Sequence, residues 1–259
     1  MKNRKKNIKL SALIIAHNEE KKIYSCLSKL TQVDEIVVVL DKTNDETKNI
    51  ALNFTKIIYE GSWELEGERR NFGLKKCTGD WILEVDADEH VTKDLLLEIK
   101  SRIIHAEPGY FLIPFDNFIG NKRVRYGWGA SWGVSSAPRL SYKGCKKWNN
   151  NQRIHPSLEL KGKKEKLKNR INHFVDEDIN DMLKRLQTYS DKKALDIVVN
   201  NEKIPSLLII IRKSLTRFFK CYFSRKGYKE GKLGFLIALM AGLFILLSFF
   251  KASLEKKKS

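Results

Sequence analysis

Cysteine is scarce and scattered: the 259-residue chain has four, Cys26, Cys77, Cys145 and Cys221, with no C-x-x-C pair. That spacing argues against a zinc centre or a disulfide scaffold and fits a reducing compartment. Acidic residues are also in short supply, 31 Asp and Glu against 49 Lys and Arg, leaving a net charge of +18. Such an excess points to a polyanionic partner, either nucleic acid or an anionic membrane surface. It thickens towards the C-terminus beside the most apolar segment, so the membrane surface is the expected partner and nucleic acid is not. The apolar run after the basic Met1 to Lys9 is too short for a signal peptide. No export is expected. At this length, with 42% hydrophobic residues, the chain can bury one sizeable core and a small appendage.

The chain is organised around Gly79-Asp80-Trp81-Ile82-Leu83-Glu84-Val85-Asp86-Ala87-Asp88-Glu89-His90. The turn signal Thr78-Gly79-Asp80 opens a run rich in Trp, Ile, Leu and Val, which predicts a buried strand. The run stops at two carboxylates spaced i, i+2. At a strand end that spacing points both side chains the same way, so one hard cation could hold both. Mg²⁺ takes only one or two protein carboxylates and leaves its other positions to water and substrate phosphates.

Upstream, strands and helices alternate. Leu10 to Ala16 predicts a buried strand that ends in His17-Asn18-Glu19-Glu20; Ile23, Cys26, Leu27 and Leu30 then share a helical face. Glu35 to Leu40 predicts a second strand, closed by Asp41, and Thr47, Ile50, Ala51 and Phe54 a second helix. Ile57 to Tyr59 is a short third strand, and Gly67 to Lys76 a helix carrying Arg69, Arg70 and Asn71. This order predicts a parallel sheet covered on both faces, with ligands gathered where strands end. Alone, Asn18 and Asp41 are read as caps and turn residues and Arg70 as a surface charge. Together they offer carboxylates for a metal, an Arg for phosphate and polar groups for a base and ribose.

Four motifs occur in order: Ala16-His17-Asn18-Glu19-Glu20, Val38-Val39-Leu40-Asp41-Lys42-Thr43-Asn44-Asp45-Glu46-Thr47, Arg70-Asn71-Phe72-Gly73 and Asp86-Ala87-Asp88-Glu89. In this order and spacing the chain resembles family 2 glycosyltransferases, inverting enzymes of the GT-A fold. Within them it is similar to the lipopolysaccharide-core glucosyltransferase branch. The resemblance covers most of residues 9–195. It implies a Rossmann-like, mostly parallel sheet flanked by helices, a nucleotide-diphosphate sugar donor and a Mg²⁺ or Mn²⁺ ion. It places Ala16, Asn18, Glu19, Asp41, Arg70, Asn71, Asp86 and Ala87 around the nucleotide sugar, and Asp88, Asp86 and His155 around the metal. The family's acidic-Gly-Ser turn is here Asp41-Lys42-Thr43-Asn44-Asp45, one residue shorter and with no glycine.

Beyond Tyr110, Phe111 to Phe115 predicts a strand, and Gly120-Asn121-Lys122 a hairpin turn before Val124. Gly127-Trp128-Gly129-Ala130-Ser131-Trp132-Gly133 suits a loop whose aromatic platforms hold a sugar ring, with core packing the equal alternative. The resemblance puts Arg139 in the acceptor half, so Trp128, Trp132 and Arg139 are the expected acceptor residues. His155 lies near the donor diphosphate by the same resemblance, or is structural. Related enzymes often carry an acid directly after that histidine; here the position is Pro156, and Asp116 and Glu159 are the nearby substitutes for a general base.

The catalytic domain is expected over residues 1–195, donor half about 9–100 and acceptor half about 101–195, with a membrane-associating tail at 196–259. In the tail, Leu208, Ile211, Leu215, Phe218, Phe219 and Tyr222 recur at helical spacing with Arg212, Lys213, Arg217 and Lys220 between them. That pattern predicts a basic amphipathic helix in a membrane interface. Leu233 to Phe250 carries no charge and would span about 27 Å as a helix, just short of a ~30 Å hydrocarbon core. Both its flanks are basic, which favours a re-entrant or in-plane element over a full span, and a buried soluble helix is the third alternative. The expected protein is a metal-dependent inverting glycosyltransferase on the cytosolic side of the inner membrane, acting on a lipid-linked or envelope glycan. The alternatives are transfer to polyprenyl phosphate and a non-catalytic basic membrane or nucleic-acid binder.

Overall fold

The computed structural model describes residues 8–128, 134–150 and 157–255. The chain forms two compact units, Met1–Phe115 with Ser135–His173, and Asp116–Val134 with Phe174–Ser259.

The first unit opens with β1 (Leu10–Ala16), α1 (Ile23–Leu27), β2 (Glu35–Asp41), α2 (Thr47–Ala51), β3 (Ile58–Gly61), α3 (Glu66–Lys76) and β4 (Trp81–Asp86). Strands β1, β2 and β4 are short apolar runs, the pattern of parallel strands buried on both faces. They pair in parallel in the order β3-β2-β1-β4. Ile15 of β1 lies between Val39 of β2 and Asp86 of β4. That register brings the ends of all three strands, Ala16, Asp41 and Asp86, to one edge of the sheet. Leu74 and Cys77, from α3 and its end, close over Leu13, Val37, Val39 and Ile82.

The chain continues through β5 (Glu89–Val91), α4 (Lys93–Ile103), β6 (Gly109–Ile119), β7 (Lys122–Val124), β8 (Ser136–Tyr142), β9 (Lys146–Trp148), β10 (Leu158–Leu160), β11 (Lys163–Lys166) and β12 (Ile171–Asp176). Strand β8 runs antiparallel to β4, with Leu140 opposite Leu83, and β12 antiparallel to β5, with His173 opposite Glu89. The strand order is β3-β2-β1-β4-β8-β6-β12-β5, with β11 parallel to β6 and the β9–β10 pair separate. The parallel part follows the expected alternation. The antiparallel part comes from non-local pairings.

In the second unit β7 turns back on β6 at Gly120, whose φ of +53° is the left-handed value a tight hairpin needs. Helices α5 (Ile179–Val199), α6 (Leu207–Phe219) and α7 (Gly231–Glu255) follow, α6 and α7 being separated by a π-helical turn at Lys220–Ser224 and a 3-10 turn at Gly227–Glu230. The core joins Ile119, Val124, Met182, Leu186, Ile237 and Met240. Buried Glu230 accepts the backbone N–H groups of Arg125 at 2.8 Å and Tyr126 at 3.1 Å, fixing the start of α7. A Cβ on Gly234 would lie 1.8 Å from the Gly227 carbonyl, so only glycine fits there. The helical stretch Gly227–Glu255 holds an 18-residue window of mean hydropathy 2.6 and is long and apolar enough to cross a membrane by length and composition.

Candidate active site

The ends of β1 and β2 are tied together by polar contacts rather than left open. His17 Nδ1 lies 2.6 Å from the Asp41 carbonyl oxygen, Asn18 Oδ1 accepts the Asn44 N–H at 2.9 Å, and the Glu19 N–H donates to Thr47 Oγ1 at 2.8 Å. Asn18 and Lys42 both adopt left-handed backbone, φ +53° and +51°. Asn tolerates this through its short polar side chain. At Lys42 a non-glycine residue takes the conformation that glycine would hold most readily. Ala16 is buried, and its carbonyl accepts the Thr43 hydroxyl at 3.4 Å.

Asp41 is held on both oxygens, by the Trp63 N–H at 3.0 Å and Arg69 Nη1 at 2.7 Å. Glu19 sits close enough to the β4 edge to feel it. Its carboxyl is raised above the ordinary range by burial first, and then by Asp88, Asp86 and Asp45, against the pull of Lys22.

Asp86 and Asp88 part company. Asp86 is the last residue of β4, but Ala87 and Asp88 form a turn, so the two-residue alternation of a strand stops before Asp88. Asp86 receives Arg70 Nη2 at 3.2 Å and is ion-paired to Arg139. Burial alone would raise its pKa, yet Arg139 and Arg70 hold the carboxyl well below the usual range. Arg139, expected on the acceptor side, is half-buried here between Asp86 and Glu89. The β4–β8 register explains its position: Arg139 follows Leu140 towards the Asp86 end of β4.

Asp88 faces His173, with Nε2 3.6 Å from Oδ2. Burial disfavours the imidazolium, but Asp88 and Glu89 outweigh it and raise the His173 pKa. Fully buried Glu89 is pushed up to about 7 by burial, with Asp86 and Asp88 adding to the shift and Arg139 opposing it. One ligand atom from each of Asp88, Glu89 and His173 lies within 4.8 Å of the others. Carboxylate oxygens suit Mn²⁺ or Mg²⁺ and an imidazole nitrogen suits a transition ion, so of the two ions that the resemblance implies the donor set fits Mn²⁺ better. Glu89 already binds Arg139 and accepts the Asp86 N–H at 3.2 Å. That leaves Asp88 and His173 as the principal donors.

Arg70 is fixed from several sides. Its Nε donates to Glu66 at 2.8 Å, and its guanidinium lies 4.8 Å above the Trp148 ring. Under it, buried Glu84 is ion-paired to Lys146 and accepts Trp148 Nε1 at 3.0 Å. Asn71 clamps the same strand, donating to the Trp148 carbonyl at 2.8 Å and accepting the Trp148 N–H at 2.9 Å.

The remaining expected residues fall elsewhere. Asp116 belongs to the second unit and accepts Arg123 Nη1 at 2.9 Å. Glu159 is exposed on β10 opposite Lys147. Trp128 packs against the second unit's core and donates to the Val124 carbonyl at 2.8 Å, the core-packing alternative. Trp132 and His155 lie outside the described residues. Sequence reasoning gave no role to Arg69, Glu84, Lys146, Trp148, Glu89 or His173, because strand pairing and helix packing bring them to the site.

Comparison with known proteins shows the family and the fold. The model of the family described as "Glycosyl transferase family 2" matches residues 11–173. A Rickettsia felis protein named "Uncharacterized glycosyltransferase" is 26% identical over 97% of this chain and 92% of its own length. The Rhizobium meliloti lipopolysaccharide core biosynthesis glycosyltransferase LpsC is 24% identical over 92% of this chain and 90% of its own. Among solved structures, residues 1–349 of Staphylococcus aureus TarS in complex with UDP align at a TM-score of 0.52 and 15% identity, covering 97% of this chain and 92% of that one. The chain belongs to glycosyl transferase family 2.

Proposed function

We propose that the protein transfers a sugar, with inversion, from a nucleotide-diphosphate donor to a lipid-linked or envelope glycan resembling the lipopolysaccharide core. The cytosolic face of the inner membrane is the proposed place of work, with residues 1–195 as the catalytic part and 196–259 as the membrane-associating part. The observation that carries this reading is the juxtaposition of Asp88 and His173 beside two arginines, Arg70 and Arg139, at the strand-end edge of the sheet. The names of two similar proteins support it: LpsC for the acceptor class and TarS, solved with UDP, for the donor class.

Asp88 and His173 would hold Mg²⁺ or Mn²⁺, which when bound supplies positive charge to the leaving diphosphate. Arg70 adds a charge-assisted contact to the same phosphates. Arg139 keeps Asp86 and Glu89 ionically paired, so the carboxylates beside the donor do not repel it. Asn18, Glu19 and Asp41, with the buried Ala16 and Ala87, shape the nucleotide side. Inversion follows from one attack of the acceptor hydroxyl on the anomeric carbon, opposite the leaving group, with a carboxylate taking the proton. Asp116 and Glu159 are proposed for that step, and separate Asp116→Asn and Glu159→Gln variants assign it.

The test is a screen of nucleotide sugars for thermal stabilisation with and without Mn²⁺, followed by measurement of nucleoside diphosphate release. Stabilisation by one donor class together with acceptor-dependent release is expected. A chain that no nucleotide sugar stabilises, with or without the ion, would contradict the proposal.

A further inference from the structure

The helix most like a membrane span has a neighbour along each side. Helix α5 follows α7, from Met182 and Leu186 packed with Ile237 and Met240 to Ala194 and Ile197 packed with Ala252. Lys251 of α7 donates to Ser190 at 2.8 Å and pairs with Asp191 at 2.5 Å. On the other side, Ser214 of α6 donates to the Gly242 carbonyl at 2.9 Å, and Cys221 packs with Ala238 and Ala241. Helix α5 carries Asp181, Lys184, Arg185, Asp191, Lys192, Lys193 and Asp196. If α7 crossed the hydrocarbon, these charges would accompany it over about 23 Å, the length from Ile237 to Ala252. Spanning segments avoid charges that face lipid. Helix α7 is covered on two sides by its own chain, while Phe235, Leu239 and Phe250 remain 49%, 40% and 43% exposed along a third.

Helix α6 is apolar on two sides, and only one is covered. Ile210, Ser214 and Cys221 are buried. Leu208, Ile211, Leu215, Phe219 and Phe223 instead line one open groove of about 690 Å³ together with Arg212 and Lys220. Leu208 is 80% exposed, and Leu215, Phe219 and Phe223 are 51%, 51% and 55% exposed. Residues 207–229 contain seven basic residues and no acidic one. A long, uncovered apolar row set among cations matches a surface that is apolar inside and anionic outside.

We propose that the outer face of α6, and not a crossing by α7, is the membrane-binding element: α6 lies in the plane of an anionic lipid surface while α7 stays inside the fold. The proposal rests on the membrane location proposed above and specifies the surface responsible for it. A second copy of the chain is a poor occupant, because the two faces would bring fourteen positive charges together.

The experiment uses the full chain with vesicles of phosphatidylcholine alone or mixed with phosphatidylglycerol. Co-sedimentation with the mixed vesicles is expected to exceed that with the neutral ones at least about tenfold, and to weaken when salt shortens the screening length. Leu215→Ser combined with Phe219→Ser should lower vesicle binding about tenfold or more while the thermal melt and its response to nucleotide sugar stay as in the parent. A parent that ignores the mixed vesicles, a variant that binds like the parent, or a parent that only self-associates through these residues would each overturn the proposal. For α7, single cysteines at Lys229→Cys and Glu255→Cys should both react with an impermeant maleimide from the same side of the membrane, and reaction from opposite sides would establish a span. Vesicle binding by a chain that no nucleotide sugar stabilises supports this inference and contradicts only the proposed function.

Discussion

His173 stands directly across from Glu89 in the antiparallel pairing of β12 with β5, and this puts its Nε2 3.6 Å from Asp88. The carboxylate motif thereby acquires an imidazole that lies far from it in the chain. On the proposed function, the two residues would share the hold on the metal ion. His173→Ala should raise the Mn²⁺ concentration for half-maximal donor binding about tenfold or more, in the range seen when metal-site partners are removed. Mn²⁺ titration of donor affinity checks this, and an unchanged midpoint would leave His173 as a packing residue beside Phe115.

Arg70→Ala removes a guanidinium that is already aligned by Glu66, Asp86 and Trp148. A charge-assisted contact contributes roughly 1.5–3 kcal/mol, so kcat/KM for the nucleotide sugar should fall about ten- to hundredfold. Steady-state kinetics at saturating acceptor give the answer, and unchanged donor kinetics would detach Arg70 from the diphosphate.

Lys146→Met leaves Glu84 ionised or protonated in a buried pocket, with Trp148 Nε1 as its closest remaining donor. Breaking one side of a buried pair costs about 3–5 kcal/mol. Chemical denaturation should show a loss of that order, and part of it should return in the Lys146→Met, Glu84→Gln double variant. Equal stability of Lys146→Met and the parent would show that the pair contributes little.

Glu35 ties the opposite end of the sheet: it is hydrogen-bonded to the Ser11 hydroxyl and accepts the Thr78 N–H and hydroxyl, both at 2.8 Å. Burial would raise its pKa, but these donors hold it below the ordinary carboxylate range. A depressed carboxyl stabilises the fold above its unfolded pKa and loses that contribution as pH falls through the folded one. Glu35→Gln should therefore melt below the parent at neutral pH, by roughly 1–2 kcal/mol, and the gap should close as pH drops below about 4.5. A gap independent of pH would show that the carboxylate's charge is not what matters.

The parallel half of the sheet was legible because its strands are short apolar runs that stop at polar residues. Leu10 to Ala16 and Trp81 to Asp86 are strands over the expected spans, and their aligned ends explain why Asn18, Asp41 and Asp86 share an edge. What local pattern could not supply was pairing. Arg139 reaches Asp86 only through the β4–β8 register, and Lys146 reaches Glu84 only because β9 packs beside α3. The i, i+2 argument for Asp86 and Asp88 assumed an unbroken strand, and the turn at Ala87–Asp88 separates them. In the tail, hydropathy registered how apolar Leu233 to Phe250 is. It carried no information on α5, whose apolar face, through Met182, Leu186, Ala194 and Ile197, packs along one side of that helix.

The central claim is that Asp88 couples nucleotide binding to a divalent ion. The direct measurement is calorimetric titration of UDP into the parent and Asp88→Asn, each with and without Mn²⁺. The account predicts that Mn²⁺ tightens binding to the parent at least about tenfold and leaves the variant unchanged, with both chains melting alike. Equal Mn²⁺ enhancement in the two chains would contradict it.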